Sequence, residues 1–488
     1  MTSCYGDISL RVVLVIFGGF LVHLALGAMY TIGNFSPYIV SYIRNRTDDT
    51  SIRNVDSLWI ISIGSIGQCI GLSIGGLNAH RFGARIATLI GSVIFCTATA
   101  MNYFSVKSSF IVFVITYGLI RYLGHKATYG TPVQTAIKWL PNHATLAAGL
   151  VVSGTGGGSM IFNQIITEYV NPNNLSPDYI DDDDERYFTQ EEVLDKVPSC
   201  FLILGGIYFG LQILGIVCLA EPPSISKQVQ VKAKTADIDY ETNDDTLDKE
   251  KHDLNKVGVS SNDQIDSIVI NSAKQSENID RNSEPQKQLG ILEAVKVSLT
   301  SRSFYILWLT ILLISCGMQF ISGLYKAYGQ TFIDDDHFLA VVGSVSAVFN
   351  CLGRPIWGAV MDKVGYRITM WIISGGFAIT TGTLLFTEHF HKSLFLVWVC
   401  AIFFFFCGIW SMIPSALAKL LGPEHMAINY GMIYTGVSIA AILGSTLAST
   451  LKSEIGWHGL FFLSSGMGVI VFIVSFFFNG VDRSGKNI

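Results

Sequence analysis

Four cations stand inside long apolar stretches of this 488-residue sequence: Arg121, Lys126, Lys326 and Arg354. The same stretches hold no Asp or Glu except Glu168, at the end of one of them. An ionised side chain near a bilayer centre costs about 2.5–3.5 kcal/mol on insertion scales, so it normally faces a cavity and finds a partner. With no acid beside these cations, the simplest partner comes from solution: a cavity of positive potential receives an anion. Arg354, in Asn350-Cys351-Leu352-Gly353-Arg354-Pro355, is the first candidate. Its planar guanidinium can hold a carboxylate through two hydrogen bonds at once. Arg121 precedes His125 by four residues, so the two share a helix face. Substrate contact, proton coupling and helix packing all stay open for Arg121. His125 and His23 are the histidines near mid-depth, and the candidates for a proton role. Tyr30 and Trp410 are the aromatic candidates for a cavity wall. Lys126 follows a different stripe with Tyr122 and Tyr129, and Lys326 is expected to snorkel from the outer end of its run.

Helices that span a membrane must position these residues. The chain is 50% hydrophobic and 14% charged, where an average soluble protein carries about 25% charged residues. Mean hydropathy is +0.45. A span needs about 20 mostly apolar residues. Twelve runs meet that need: 10–42, 57–79, 84–104, 108–139, 144–170, 198–220, 303–331, 337–361, 368–386, 393–420, 425–451 and 456–479. This composition excludes an ordinary soluble enzyme. A formal charge of −5 offers no basic footprint for nucleic acid. Nine cysteines without a CxxC pair argue against a disulfide scaffold or a metal site. Gly154-Thr155-Gly156-Gly157-Gly158 lacks the Lys-Ser/Thr of a phosphate loop, and no other motif calls for a cofactor.

Two polar segments interrupt the runs. Residues 171–197 carry nine acids and two bases and are expected to form a solvated outer loop. Residues 221–302 are rich in Asp, Lys, Ser and Asn and are expected to link two halves, 1–220 and 303–488, on the cytoplasmic side. The Lys and Arg of the short loops divide almost evenly between the two sides, so they orient the chain only weakly.

The halves repeat one another. Shifted by 282 residues, Gly71, Gly76, Gly83, Arg85, Pro132, Pro141 and Gly149 fall on Gly353, Gly358, Gly365, Arg367, Pro414, Pro423 and Gly431. Matches concentrated on Gly and Pro mark shared backbone geometry. Six helices repeated once around a central path is a transporter plan, with the substrate near the midplane. The loop from Gly76 through Arg81 and Gly83 to Arg85 has a second copy running from Gly358 through Asp362, Lys363 and Gly365 to Arg367. Both copies resemble the GxxxDRxGxR signature of the major facilitator superfamily, with His80 where the pattern has Asp. Their bases are expected to act as a conformational latch, pairing with acids or helix C-termini.

Within that superfamily the chain resembles oxalate/formate antiporter-like and monocarboxylate transporter-like facilitators. The resemblance rests on Tyr129-Gly130-Thr131-Pro132 with Ala136 to Pro141, on Gly27-Ala28-Met29-Tyr30 through Pro37, on Asn350 through Gly358, and on Asn429-Tyr430-Gly431. It implies an all-α membrane fold of twelve helices in two pseudo-symmetric halves, and no enzymatic activity. It also implies a small organic anion as substrate, with a proton or counter-anion as candidate coupling partner, and matches Arg354 to the arginine that binds the substrate carboxylate. Asn350 replaces the acid that proton-coupled relatives carry. The first span lacks their lysine, and Tyr434 to Ser438 lacks the antiporter's second cation. One arginine suits a monoanion, most simply a monocarboxylate, carried by symport or antiport across the plasma membrane or an organelle membrane. An anion receptor signalling through 221–302, and a facilitator for another small solute, are the alternative readings.

Overall fold

In lipid, backbone polar groups find partners only inside a helix or a closed barrel, so long apolar runs become helices. The computed structural model describes residues 10–47, 49–140, 144–181, 185–222, 296, 298–421 and 426–480. Twelve helices follow one another among the described residues. The first half contains α1 (Leu10–Arg46), α2 (Asn54–Ala79), α3 (Arg81–Ser105), α4 (110–139), α5 (Ala144–Val170) and α6 (Glu191–Cys218). The second contains α7 (Arg302–Gly329), α8 (Asp336–Val364), α9 (366–382), α10 (Lys392–Leu421), α11 (426–455) and α12 (457–475). Most of the segment 221–302 lies outside the described residues.

Eight helical stretches among the described residues are long and apolar enough to cross a membrane, and one of them, Gly431–Ser475, holds most of α11 together with α12. α4 falls short of that hydropathy because it carries Arg121, Tyr122, His125 and Lys126. The fold is that of a multi-pass integral membrane protein. Large apolar side chains such as Ile111, Val217, Ile379 and Phe462 are exposed, as lipid-facing residues should be.

Each half closes on its own apolar core. Val22, Phe35, Phe95, Phe113 and Phe201 belong to one core, and Ile311, Phe320, Phe377, Phe395 and Phe461 to the other, which also takes Val55 and Leu58 of α2. The repeat reaches the backbone. α2 turns into α3 at Gly83 (φ 77°, ψ 173°), and α8 turns into α9 at Gly365 (φ 83°, ψ 169°). These are left-handed-side conformations that suit glycine. At Gly71 the need is space: a Cβ there would lie 2.1 Å from the Leu123 carbonyl oxygen, so glycine lets α4 approach α2.

Two helices are distorted where candidate residues sit. α1 tightens into a 3-10 turn over Gly27–Thr31, and α4 passes through a π segment over Val114–Ile120, just before Arg121. Such departures from α geometry often mark functional places in a helix.

Candidate functional site

A cavity of about 330 Å³ lies between the halves, lined by α1, α2, α4, α5, α7, α8, α10 and α11. Its wall is largely apolar and aromatic, with a few polar groups, the usual make-up of a small-molecule site. Tyr30, His125, Arg354 and Trp410 all reach it. Among the described residues that line it, none is Asp or Glu.

Arg354 is held from both halves. Its Nη2 donates to the Tyr30 hydroxyl at 2.9 Å and to Asn350 Oδ1, one turn earlier, at 3.2 Å. Its Nε is a buried donor without a protein partner among the described residues. Tyr30 sits on the 3-10 turn of α1, and α4 braces that turn. Arg121 Nη2 donates to the Ala28 carbonyl at 3.3 Å, and His125 Nε2 meets the Leu26 carbonyl at 3.0 Å. A carbonyl only accepts, so His125 carries its proton on Nε2, and Nδ1 is left as a buried acceptor with no partner among the described residues.

Two candidates stand back from the wall. Arg121 is 2% exposed, donates to Thr99 Oγ1 at 3.2 Å, and lies over the rings of Tyr117 (4.3 Å) and Phe95 (4.9 Å). Of its three open roles, the surroundings are those of helix packing. His23 donates from Nδ1 to the Gly19 carbonyl at 3.0 Å and packs edge-on to Tyr129 at 4.8 Å. The cavity also gathers four further residues, of which the sequence reading passed over only Gln68. Lys126 and Tyr129 line it, as do Gln68 and Tyr434, joined at 3.3 Å. The spacing Tyr122-Lys126-Tyr129 was the available signal, because positions four before and three after a lysine lie on its own helix face.

At the end of the bundle away from Cys218 and Arg302, the halves are bolted together. Here the structure corrects two expectations. Lys326 does not snorkel: it is fully buried and pairs with Asp336, 2% exposed, at 2.8 Å. The eighth run was drawn from 337, yet α8 begins at Asp336, one residue earlier, so a lipid-depth cation does have an acidic partner. Asp336 also accepts from the Tyr38 hydroxyl and from Asn171 Nδ2 (3.0 Å), while Lys326 donates to Asn34 (3.0 Å), all three in the first half. Segment 171–197 is likewise more than a solvated loop. Its Glu185 is fully buried, pairs with Lys452 of α11 at 3.1 Å, and accepts from the Asn54 amide and the Tyr187 hydroxyl at 2.7 Å each. Burial, with Glu185 alongside, pushes the Tyr187 hydroxyl up. Arg186 adds an ion pair to Asp334 at 3.0 Å.

Among the described residues, the repeated loops make their polar contacts within halves. Arg85 donates to the carbonyls of Leu219 and Val217 after α6, and Arg367 donates to Phe478 O at 2.6 Å after α12. Asp362 pairs with Lys419 of α10 at 3.5 Å. Arg81 and Lys363 are exposed, and a Cβ added at Gly76, within α2, or at Gly358, within α8, would meet open space. Arg85 therefore caps the C-terminal carbonyls of α6, where a cation is favoured by the helix dipole, and Arg367 holds the chain three residues past the end of α12.

Comparison with known proteins agrees with this architecture. The chain is 25% identical to apicoplast pyruvate carrier 1 of Toxoplasma gondii, over 92% of this chain and 85% of that one. It is 20% identical to the oxalate:formate antiporter of Oxalobacter formigenes, over 85% of this chain and 79% of that one. The crystal structure of a D-xylose–proton symporter superposes with a TM-score of 0.63 at 13% identity, covering 98% of this chain and 100% of the other. The family model of the Major Facilitator Superfamily matches residues 15–428 and 307–487. With the repeated six-helix halves, this makes the chain a member of the Major Facilitator Superfamily, a transporter and not an enzyme.

Proposed function

We propose that this transporter carries small organic monoanions, most simply monocarboxylates, by alternating access, with Arg354 as the anchor of the carboxylate. The observation that carries the reading is the cavity's charge. Arg354 lines it with an unpartnered donor, and no acid among the described lining residues neutralises it. A neutral sugar or an organic cation has no use for such a wall. The pyruvate carrier and the oxalate:formate antiporter, by their names, handle small carboxylates, which supports the same class.

Tyr30 and Trp410 are assigned to substrate contact. Trp410 packs at a tilt beside Tyr434, ring centroids 5.7 Å apart, and gives an apolar carbon skeleton a flat surface. Arg121 is assigned to positioning, since it holds the turn that bears Tyr30. Arg121→Met is expected to raise the KM for the anion about tenfold through loss of one charged hydrogen bond, worth about 1.5–3 kcal/mol. Arg121→Lys should recover part of it. Uptake kinetics of both variants decide the point, and an unchanged KM in Arg121→Met removes the assignment. Any proton coupling is assigned to His125 and His23, whose rings each keep a buried nitrogen without a hydrogen-bond partner among the described residues.

The test of the function is a substrate panel in proteoliposomes, run with and without a pH gradient and with preloaded anion. Labelled monocarboxylate uptake, competed by carboxylates and untouched by sugars, amino acids or organic cations, is the expected result. Uptake of a sugar or a cation in preference to any carboxylate overturns it. Stimulation by an acidic exterior indicates symport, and stimulation by internal anion indicates exchange.

A further inference from the structure

The cavity has a second cation. Lys126 reaches the wall from α4, in the first half, while Arg354 reaches it from α8, in the second. Tyr129 lines the same cavity, and its ring lies 4.5 Å from Lys126 Nζ. The two cations thus face one cavity of about 330 Å³.

Lys126 is poorly satisfied by the protein. Its ammonium has three donors. Among the described residues it makes no hydrogen bond and no ion pair, and only the faces of Tyr129 and, at 6.0 Å, Tyr434 attend it. Cation–π contact is worth about 0.5–2 kcal/mol, less than a set of charged hydrogen bonds. The cavity itself must therefore supply acceptors to Lys126. A simple alkyl carboxylate spends its one charged end on Arg354 and turns carbon toward Lys126. An acid with a second oxygen function one or two carbons away meets both cations.

We propose that Lys126 is a specificity-determining residue, reading a second oxygen-bearing group of a short acid whose carboxylate lies on Arg354. The shared chemistry is a second acceptor close to the carboxylate. A keto oxygen and a second carboxylate both provide it, and both are included in the test. This inference rests on the assignment of Arg354 as the carboxylate anchor.

The experiment uses the full chain in proteoliposomes, with propionate, pyruvate and malonate as probes. Wild type is expected to take up pyruvate or malonate with a kcat/KM at least tenfold above propionate. Lys126→Met is expected to shrink that ratio by at least tenfold, and Lys126→Arg to retain most of it. A selective loss for pyruvate assigns Lys126 to the keto oxygen, and a selective loss for malonate assigns it to the second carboxylate. A ratio unchanged in Lys126→Met, with Arg354-dependent uptake intact, overturns this inference alone. The same holds if all three probes weaken equally. Wild-type liposomes that take up none of the three overturn the monocarboxylate reading with it. Because the readout is a ratio within one preparation, a lower yield of folded variant does not imitate the effect.

Discussion

Arg354→Gln is expected to reduce kcat/KM for the carboxylate about 100-fold in proteoliposomes. Glutamine keeps a polar head on a shorter side chain and loses the charge and the fork. A charge-assisted hydrogen bond contributes about 1.5–3 kcal/mol, and a carboxylate on the guanidinium makes two. A net loss of about 3 kcal/mol corresponds to roughly 100-fold. Arg354→Lys restores the charge without the planar fork and should recover only part of the activity. The fold should tolerate both changes, because Arg354 is half-buried on a cavity wall and its carbonyl, which accepts from Ser411 at 2.9 Å, is untouched. Uptake by Arg354→Gln at the wild-type rate, in protein that elutes as a monodisperse species, would leave the anion assignment without its anchor.

Asp336→Asn should be the most destabilising of the conservative changes. It strands Lys326, fully buried, without its counter-charge. Removing one partner of a buried ion pair typically costs about 3–5 kcal/mol, whereas replacing both is often near neutral. The double variant Lys326→Met/Asp336→Asn is therefore expected to be more heat-stable than Asp336→Asn alone. The same carboxylate ties the halves together through Tyr38 and Asn171. Both variants should accordingly expose the far side of the cavity more often than wild type. Thermal inactivation in detergent and labelling of a cysteine introduced at Asn34 measure the two effects. Equal stability of wild type and Asp336→Asn, or a double variant weaker than the single, contradicts the account.

The far-side closure combines several such contacts. Outside the spans, desolvation opposes the charge of Asp335, but hydrogen bonds from Lys392 and the Phe338 amide hold its carboxyl below the ordinary range. Asp335 thereby caps α8 directly before Asp336. Opening that side requires Asp336 to give up Tyr38 and Asn171, and Glu185 to part from Lys452. An anion whose binding draws the halves together on the other side has to supply that work, as any ligand-driven population shift must.

The spans, the duplication and the acid-free surroundings of Arg354 were readable from residue order, whereas the expected lack of an acidic partner failed for Lys326. Apolar runs must become helices in lipid, and a repeat with its glycines 282 positions apart must reuse its turns, as Gly83 and Gly365 do. Arg354 was legible for the same reason: a cation at that depth is costly unless it faces a cavity. What residue order left undetermined was pairing across the chain. Lys326 and Asp336 are ten positions apart and Glu185 and Lys452 are 267 apart, and only the packed bundle shows which charges meet. The same holds for Lys126, assigned to another stripe by helical spacing and brought to the wall by the packing of α4 in the bundle. Helical periodicity states which residues share a face, whereas the neighbour that face meets depends on how twelve helices pack, and that is a property of the tertiary structure.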